Sequence, residues 1–578
     1  MKKRNVYILG ISAFYPDSAA ALIKNGEVIA AAQEERFTRK KHDGSFPDRS
    51  IRYCLKEAHI PMDRVDVVSF HGVSQKNISQ KFIREKLEYK GKIIFIEHHK
   101  SHAASAFYPS PFDKAAVIVA DDTIGDISTC FGRGDGNTLD LYREVPSPHS
   151  LGLLYSAFTY YAGFNVNSDE YKIMGLAPYG EPKFTDLILD ELIDLKNDGT
   201  FKINTDYFNA EGIHALTNEK FDQLFCGPRR YPGERLHEKH MDLARSVQVV
   251  AESVMMKMAK RVHQDTGLSN LCLAGCVALN CVANGKMLKR GPFKNVWIQP
   301  ASSDAGGALG AALVAWYECL GSSREKKEAK DDQKASLLGP SFSDEEIETY
   351  LGENDIAYER LRHEDMIRSV SSLLAKQNVV GWFQGRMEFG PRALGSRSIL
   401  ADPRCRDMQS VINEKIKFRE SFRPFAPSVL LEEAKEYFEI DHESPYMLFA
   451  VPVKEDKKEN TAVNSKIKGL SKLRIKRSEI AAVTHVDYSA RVQTVSKEDN
   501  SIFHELIRRF YEDHGCPVLV NTSFNVKGEP IVCTPEDAYR CFMKTEMDYL
   551  VMGSFLIEKK DNNIKCAEKE ESGICEYC

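Results

Sequence analysis

Residues 6–35 read "VYILGISAFYPDSAAALIKNGEVIAAAQEE". A short apolar strand at 6–12 is followed by two β-rich runs flanking Asn25-Gly26, a dipeptide that tolerates positive φ and closes two-residue hairpins. A sheet that opens with an antiparallel hairpin is mixed rather than purely parallel. Further strands are expected at "VDVVSF" (65–70), "KIIFIE" (92–97), "AAVIVAD" (115–121), "LCLAG" (271–275) and "VWIQP" (296–300). Helical periodicity alternates with them and runs longest over 241–264, so the fold class is α/β.

The chain has 578 residues, too many for one core, and two or three domains are expected. Its formal net charge is −5, which gives no global field for steering towards nucleic acid or an anionic membrane. Near the start no signal peptide is visible, and the most apolar stretch (305–321) is shorter than a membrane span and rich in Gly and Ala, as in a buried helix. Fourteen scattered cysteines suit a reduced, cytoplasmic protein. The charged run 322–337 reads as a linker or solvated loop, and 454–479 as a basic, solvated insertion. A second strand/helix alternation runs from 378 to about 558, and the remainder, ending in "CEYC", reads as a polar tail. No internal repeat is visible.

Three of the sixteen histidines fall within "EHHKSHAASAFYPSPF" (97–112). If the alanine-rich part is helical, His98 and His102 share one face at i, i+4 and can chelate one divalent ion, whereas His99 points about 100° away. Carboxylates to complete such a site stand at Asp121 or Asp122, at the end of a strand, and at Asp304, at a loop-to-helix junction; as a lone residue Asp304 would read as a helix cap. Two His and two Asp suit Fe(II), Mn(II) or Zn(II) without choosing among them.

Glycine turns at "LAGCVALNCVANG" (273–285) and "SSDAGGALG" (302–310) offer backbone N–H groups to anions, although each singly reads as tight packing. Together with Asp-ended strands and the opening hairpin, they suggest an actin/hexokinase-type nucleotide cleft. In the second half Arg386, Arg392, Arg397, Lys417, Arg419 and Arg423 stand among Gly, Phe and Pro, where unpaired guanidinium groups would be costly. They need anions: either internal carboxylates (Glu388, Glu420, Asp402) or phosphate oxygens. Arg491 and His485 add to this group. The Asn521 and Asn525 amides suit a urea-like ligand. Residue patterns alone thus lead to two anion-binding domains with a metal in the first.

Long motifs then carry a resemblance over residues 8–559: "AAQEERFTRKKHD", "HHKSHAASAFYPSPF", "EYKIMGLAPYGEP", "LAGCVALNCVANGKM", "GPRALGSRSILADPR", "FRPFAPSVL" and "NTSFNVKGEPIV". The chain resembles the O-carbamoyltransferases that act on nodulation factors, cephamycins and aminoglycosides. The resemblance implies an actin-like (ASKHA) transfer domain over 1–340, a YrdC-like α+β adenylate-forming domain over 341–560, and a tail over 561–578. It implies that carbamoyl phosphate and ATP, with Mg2+, give carbamoyl-adenylate, which passes its carbamoyl group to a hydroxyl of a small-molecule acceptor.

On the same pattern His98, His102, Asp121 and Asp304 correspond to metal ligands, with Fe2+ the first expectation and Mn2+ or Zn2+ the alternatives. Gly275, Asn280, Gly306 and Gly307 would line the nucleotide. Arg392, Lys417, Arg423, Arg491 and Asn521 correspond to carbamoyl-phosphate ligands, and Asp17, Arg392 and Lys417 to catalytic residues. Three departures stand out: Pro16 replaces a histidine, Cys276 replaces a glycine, and Asp121-Asp122 replaces Asp-Gly. Neither nucleic acid nor membrane is expected as a partner, and a homodimer is an open expectation. The competing readings are a threonylcarbamoyl-type transferase acting on tRNA and a nucleotide-binding regulator without turnover.

Overall fold

The Asn25-Gly26 pair closes its hairpin with both residues at positive φ (52° and 86°). The computed structural model describes residues 4–72, 79–121, 126–209, 216–324 and 330–562. In its first sheet β1 (Tyr7–Ser12), β2 (Ala19–Lys24) and β3 (Glu27–Gln33) form an antiparallel meander, and β4 (Val67–His71) and β5 (Lys92–Ile96) add parallel strands beside β1. The strand order is β3-β2-β1-β4-β5.

The second sheet repeats this plan. β6 (Lys114–Ala120), β7 (Ile127–Asp135) and β8 (Thr138–Pro146) form the meander, and after a small hairpin of β9 (Ile193–Leu195) and β10 (Phe201–Ile203) come β11 (Asn270–Ala274) and β12 (Asn295–Ile298), parallel to β6. The order β12-β11-β6-β7-β8 is the first sheet's order read from its other edge. The sequence shows no repeat, yet the backbone has one, which is the duplicated architecture expected of an actin-like fold.

Two helices fill the space between the sheets. α1 (His98–Phe107) packs on β6 and β11, and α4 (Asp304–Val314) packs on β1, β2 and β4, with α1 and α4 face to face. Between them in sequence lie the long α2 (Glu238–Thr266) and α3 (Cys281–Arg290). Every residue of α4 is buried, so the first ten residues of the stretch that looks most membrane-like (305–314) are apolar because protein covers them on all sides. Among the described residues no helix is long and apolar enough to cross a membrane. Small residues set the spacing: a Cβ on Gly310 would lie 1.8 Å from Ser101 O, and one on Gly10 would lie 1.9 Å from Ala308 O.

The second half builds a nine-stranded mixed sheet from β13 (Glu359–Arg360), β14 (Val380–Phe383), β15 (Arg397–Ala401), β16 (Ala426–Leu430), β17 (Phe449–Pro452), β18 (Ser489–Val495), β19 (Val518–Ser523), β20 (Tyr549–Met552) and β21 (Phe555–Glu558). Its order is β13-β21-β20-β14-β15-β19-β16-β18-β17. Arginines clasp the two halves through backbone carbonyls: Arg36 donates to Gly390 O (2.8 Å), Arg39 to Ile531 O (2.7 Å) and Arg386 to Ile29 O (3.1 Å). Three stretches read as solvated are anchored instead. In 330–337, Asp331 accepts from Trp297 Nε1 (2.9 Å) and Tyr446 Oη (2.7 Å), and Gln333 and Ser336 are buried. In the basic insertion, buried Arg477 donates to Thr484 O, and Lys472 reaches Pro178 O. In the tail, buried Asn562 accepts from Ala357 N and donates to Ala357 O. Residues 563–578, with "CEYC", lie outside the described residues.

Gly310→Val forces the α1/α4 contact apart and is expected to lower stability by ~1–3 kcal/mol or more. A chemical-denaturation midpoint at unchanged m-value measures it.

Candidate active site

The carboxyl ends of the parallel strands in both sheets deliver their residues to one point between α1 and α4. His71 is the last residue of β4, His98 and His102 lie in the first two turns of α1 after β5, Asp121 follows β6, and Asp304 opens α4. Glu97 caps α1, accepting from His99 N (2.9 Å) and Lys100 N (2.7 Å), which fixes the helix start and puts His98 and His102 on one side. His98 Nε2 and His102 Nε2 each lie 3.1 Å from Asp121 Oδ2. Asp304 Oδ1 lies 3.2 Å from His71 Nε2, 3.5 Å from His102 Nε2 and 3.7 Å from His98 Nε2. All five side chains are buried, at 0–7% exposure. Asp121 lies in this cluster; Asp122, the alternative from the sequence, lies outside the described residues.

The electrostatics call for a cation. Burial and the neighbouring His98 push His71 down to about 3, which keeps its imidazole neutral. Burial also opposes charge on His102, but Asp121 and Asp304 outweigh it and carry His102 up to about 10. Burial would raise Asp304, yet hydrogen bonds from His102 and His71 hold it at about 2. Two buried carboxylates thus recruit a proton onto an imidazole whose Nε2 lacks any well-aligned hydrogen bond. A divalent ion would supply the same charge and take up that lone pair; the ligand atoms of His71, His98, His102 and Asp304 all lie within 4.8 Å of one another, a set that fits a borderline transition ion, and Asp121 adjoins it through His98 and His102.

His71 was not legible as a ligand, because "VDVVSF" reads as a core strand and a histidine just beyond it has the look of packing. The signal was its place at a strand's carboxyl end. Gly307 explains how it fits: a Cβ there would lie 2.6 Å from the His71 ring. Gly306 is likewise shut against Ala301 O, at 2.2 Å, so the side-chain directions of both glycines are filled by protein rather than turned towards a nucleotide. Asn280 caps α3 through Ala283 N (3.1 Å) and pairs with Gln248 in both directions at 3.1 Å, which occupies its amide. At Gly275 (φ 87°) the backbone passes Ala120 O so closely that a Cβ would lie 2.2 Å away, and the next N–H, of Cys276, donates to Asp121 Oδ1 (2.9 Å). The position that departs from the family glycine therefore orients a cluster carboxylate through its backbone. His99, off the shared face, is buried with Nδ1 3.5 Å from Glu97 Oε1.

The arginines of the second half separate into two kinds. Arg397 is buried with its donors on the carbonyls of Gln384, Gly385, Ser396 and Pro340 and its plane 3.6 Å from the Phe383 centroid. Arg386 and Arg404 are also satisfied internally, Arg404 by Asp402. Arg392, Arg419 and Arg491 are instead lowered, first by burial and then by neighbouring guanidinium groups, Arg423 among them. Burial and Arg491 bring Arg392 down to about 9, and Arg419 falls well below the usual guanidinium range through burial and Arg423. Arg392 Nε is buried with no partner among the described residues. Glu420, 3.6 Å from Arg423, is shared with Lys172 at 3.0 Å and cannot neutralise four cations. The first half supplies one wall: Arg423 stacks 4.5 Å from the Tyr171 centroid, and Cys281 of α3 feels both Arg491 and Arg392.

One carry-over meets internal partners here. Lys417 is buried with Nζ on Ser523 O (2.6 Å), Asn525 O (2.9 Å), Asn525 Oδ1 (2.7 Å) and Ser523 Oγ (3.2 Å), so its three protons hold the 523–525 loop and none is free for a ligand or for catalysis. Asn525 is occupied with it, whereas Asn521 donates to Ser428 Oγ and Gln493 Oε1 at 3.0 Å and keeps a buried, unpartnered Oδ1. Arg419, a cluster member, takes the place in the charge pattern that Lys417 was expected to fill.

Family models described as the N-terminus and C-terminus of carbamoyltransferases match residues 7–90 with 73–313, and residues 371–559. The chain belongs to the carbamoyltransferase family. This carbamoyltransferase is 53% identical to an uncharacterized protein of Synechocystis, covering 96% of this chain and 97% of that one. It is 37% identical to the nodulation protein NolNO of Sinorhizobium fredii, over 95% and 79% of the two chains. It is 27% identical to the 3'-hydroxymethylcephem-O-carbamoyltransferase of Amycolatopsis lactamdurans, over 90% and 94%. The resemblance seen in the motifs is thus a family membership, and the chain is an enzyme of that family.

His71→Ala removes one imidazole donor while leaving the i, i+4 pair. It is expected to weaken divalent-metal binding by at least ~10-fold, the low end of what even outer-shell losses cost. Metal titration of the purified protein with elemental analysis measures it.

Proposed function

We propose that this carbamoyltransferase moves a carbamoyl group from carbamoyl phosphate to a hydroxyl of a small-molecule acceptor, with ATP driving the transfer through carbamoyl-adenylate. The observation that carries the reading is the pairing, in one chain, of a four-arginine cluster with too little counter-charge and a buried three-His, two-Asp cluster. The names of the cephem and nodulation relatives support the acceptor class. The division of labour follows the electrostatics. Arg392, Arg419, Arg423 and Arg491 hold phosphate oxygens, which relieves the mutual repulsion of the guanidinium groups and favours bidentate contacts. Asn521 Oδ1 accepts from the carbamoyl amine. Water and carbamoyl phosphate give carbamate and inorganic phosphate; carbamate and ATP give carbamoyl-adenylate and pyrophosphate.

The His71–His98–His102–Asp121–Asp304 cluster serves the second half-reaction, in which the acceptor oxygen bonds to the carbamoyl carbon and AMP departs. A divalent ion there, iron(II) by preference, would supply Lewis-acid charge opposite the departing phosphate. Gly275 keeps the turn below the cluster tight, and the Cys276 N–H holds Asp121 in register. Residues 1–340 would form the transfer unit and 341–560 the adenylate-forming unit, facing each other across the Tyr171 and Arg423 contact.

Carbamoyl-phosphate-dependent ATP–pyrophosphate exchange tests the first half-reaction. Arg392→Ala is expected to lower it by ~10²-fold or more, as for a lost electrostatic donor. His98→Ala is expected to keep exchange and lose AMP-coupled transfer. Full exchange in Arg392→Ala, or joint loss of both half-reactions in His98→Ala, contradicts the assignment.

A further inference from the structure

The motif "EERFTRKKHD" contains a histidine that the clasp and the two clusters leave unused. Arg36 and Arg39 reach across to the second half, but His42 turns back towards the β1–β2 loop. Its Nδ1 lies 2.9 Å from Asp17 Oδ1. Its backbone N–H donates to Glu35 Oε2 (2.8 Å). The 42–44 segment is zipped to the 14–18 loop by Ser18 N to Asp43 O and Phe14 N to Gly44 O, both 2.9 Å. Asp17 (φ 65°) and His42 (φ 55°) both hold the left-handed backbone that non-glycine residues rarely adopt, so the surrounding structure over-determines their facing. The remaining ring nitrogen, Nε2, is buried and has no hydrogen-bond partner among the described residues.

An imidazole oriented at Nδ1 by a carboxylate, with Nε2 unpaired, has the arrangement of a general base. Asp17, Glu35 and His42 also bring one donor atom each within 4.8 Å of one another. Glu35, however, is committed to Arg36 at 2.6 Å and to the His42 N–H, so a hydrogen-bonded dyad fits better than an ion site. Chain neighbours of the dyad reach both clusters. Tyr15, two residues before Asp17, packs edge-on against His71 and His98 with centroids 5.8 and 5.6 Å apart. On the other side Lys41, next to His42, feels the charges of Asp169 and Arg423.

We propose that His42, oriented by Asp17, is the base that accepts the proton of the acceptor hydroxyl during carbamoyl transfer. This rests on the proposed function. As the acceptor O–C bond forms, the hydroxyl proton passes to His42 Nε2; the bond from the carbamoyl carbon to the AMP phosphate oxygen breaks, its electron pair stays on AMP, and His42 releases the proton to solvent. Asp17, assigned to catalysis from the sequence, is then a positioning residue rather than the base. An imidazole is also intrinsically more basic than a carboxylate, at about 6.5 against about 3.9. The charged groups around His42 are Asp17, Glu35 and Lys41. Burial lowers its pKa, but the hydrogen bond and charge of Asp17 outweigh this and raise it. The base acts when neutral, so transfer rises with pH through a pKa above the ordinary imidazole value, and loss of Asp17 moves that limb to lower pH.

The test follows the holoenzyme through both half-reactions, with water and glycerol as acceptor probes. His42→Gln is expected to retain pyrophosphate exchange and to slow carbamoyl-adenylate breakdown to AMP by ~10²-fold or more, the usual worth of a general base. Its ascending pH limb should vanish, and in Asp17→Asn the limb should shift to lower pH. Independently of turnover, 15N NMR of the wild type should show His42 as the Nδ1–H tautomer, with a pKa that falls in Asp17→Asn. Unchanged adenylate breakdown in His42→Gln, or an Nε2–H tautomer, overturns the proposal. Absence of exchange in the wild type would instead overturn the proposed function on which it rests.

Discussion

Two carboxylates buried among three imidazoles, with no lysine or arginine hydrogen-bonded to them among the described residues, form the constraint on which the rest of the first half depends. Such a group is stable only if a cation joins it, either as a proton on His102 or as a metal ion. Its assembly needs the duplicated sheets, because each ligand comes from the carboxyl end of a parallel strand or from the element that follows one. It also needs the glycine and alanine faces of α1 and α4, without which the two sheets could not approach closely enough for His71 to meet Asp304. Fold and site are therefore one structural problem.

The second half meets the opposite constraint. Four guanidinium groups converge with too little internal counter-charge, and their repulsion disfavours the empty cleft as much as it favours a polyanionic ligand. The arginine cluster lies against residues of the first half: Arg423 over Tyr171, Arg392 and Arg491 near Cys281 of α3, and Lys41 in the field of Arg423. On the proposed function, a labile mixed anhydride made beside one cluster and consumed beside the other would gain from transfer within one protein rather than through bulk water.

How far the site was legible depended on whether a residue's chemistry showed in local spacing. His98 and His102 were readable from i, i+4 spacing, and Asp121 and Asp304 from strand-end and helix-start positions, with the family motifs joining them. His71 was not, since its partners are 27 or more residues away and its own strand, VVSFH, is buried throughout and reads as core. The repeat between the two sheets escaped because topology survives when side-chain identity does not. The internal partners of Lys417 were hidden for a different reason: a buried ammonium can be satisfied by carbonyls and amides from a distant loop, and only coordinates reveal Ser523 and Asn525 around it. Arg386 and Arg397 show the same effect, their guanidinium groups ending on backbone carbonyls rather than phosphate. The opening hairpin, by contrast, depends on two adjacent residues and formed where the sequence placed it.

The most direct test of the central claim is anomalous diffraction from crystals of the anaerobically metal-loaded protein, collected at the absorption edge of the bound ion. The account predicts one peak between α1 and α4, with the Nε2 atoms of His71, His98 and His102 at about 2.0–2.3 Å and Asp121 and Asp304 completing the sphere. A structure in which the ion binds elsewhere, or in which the five side chains keep their direct His–Asp contacts at saturating metal, would contradict it.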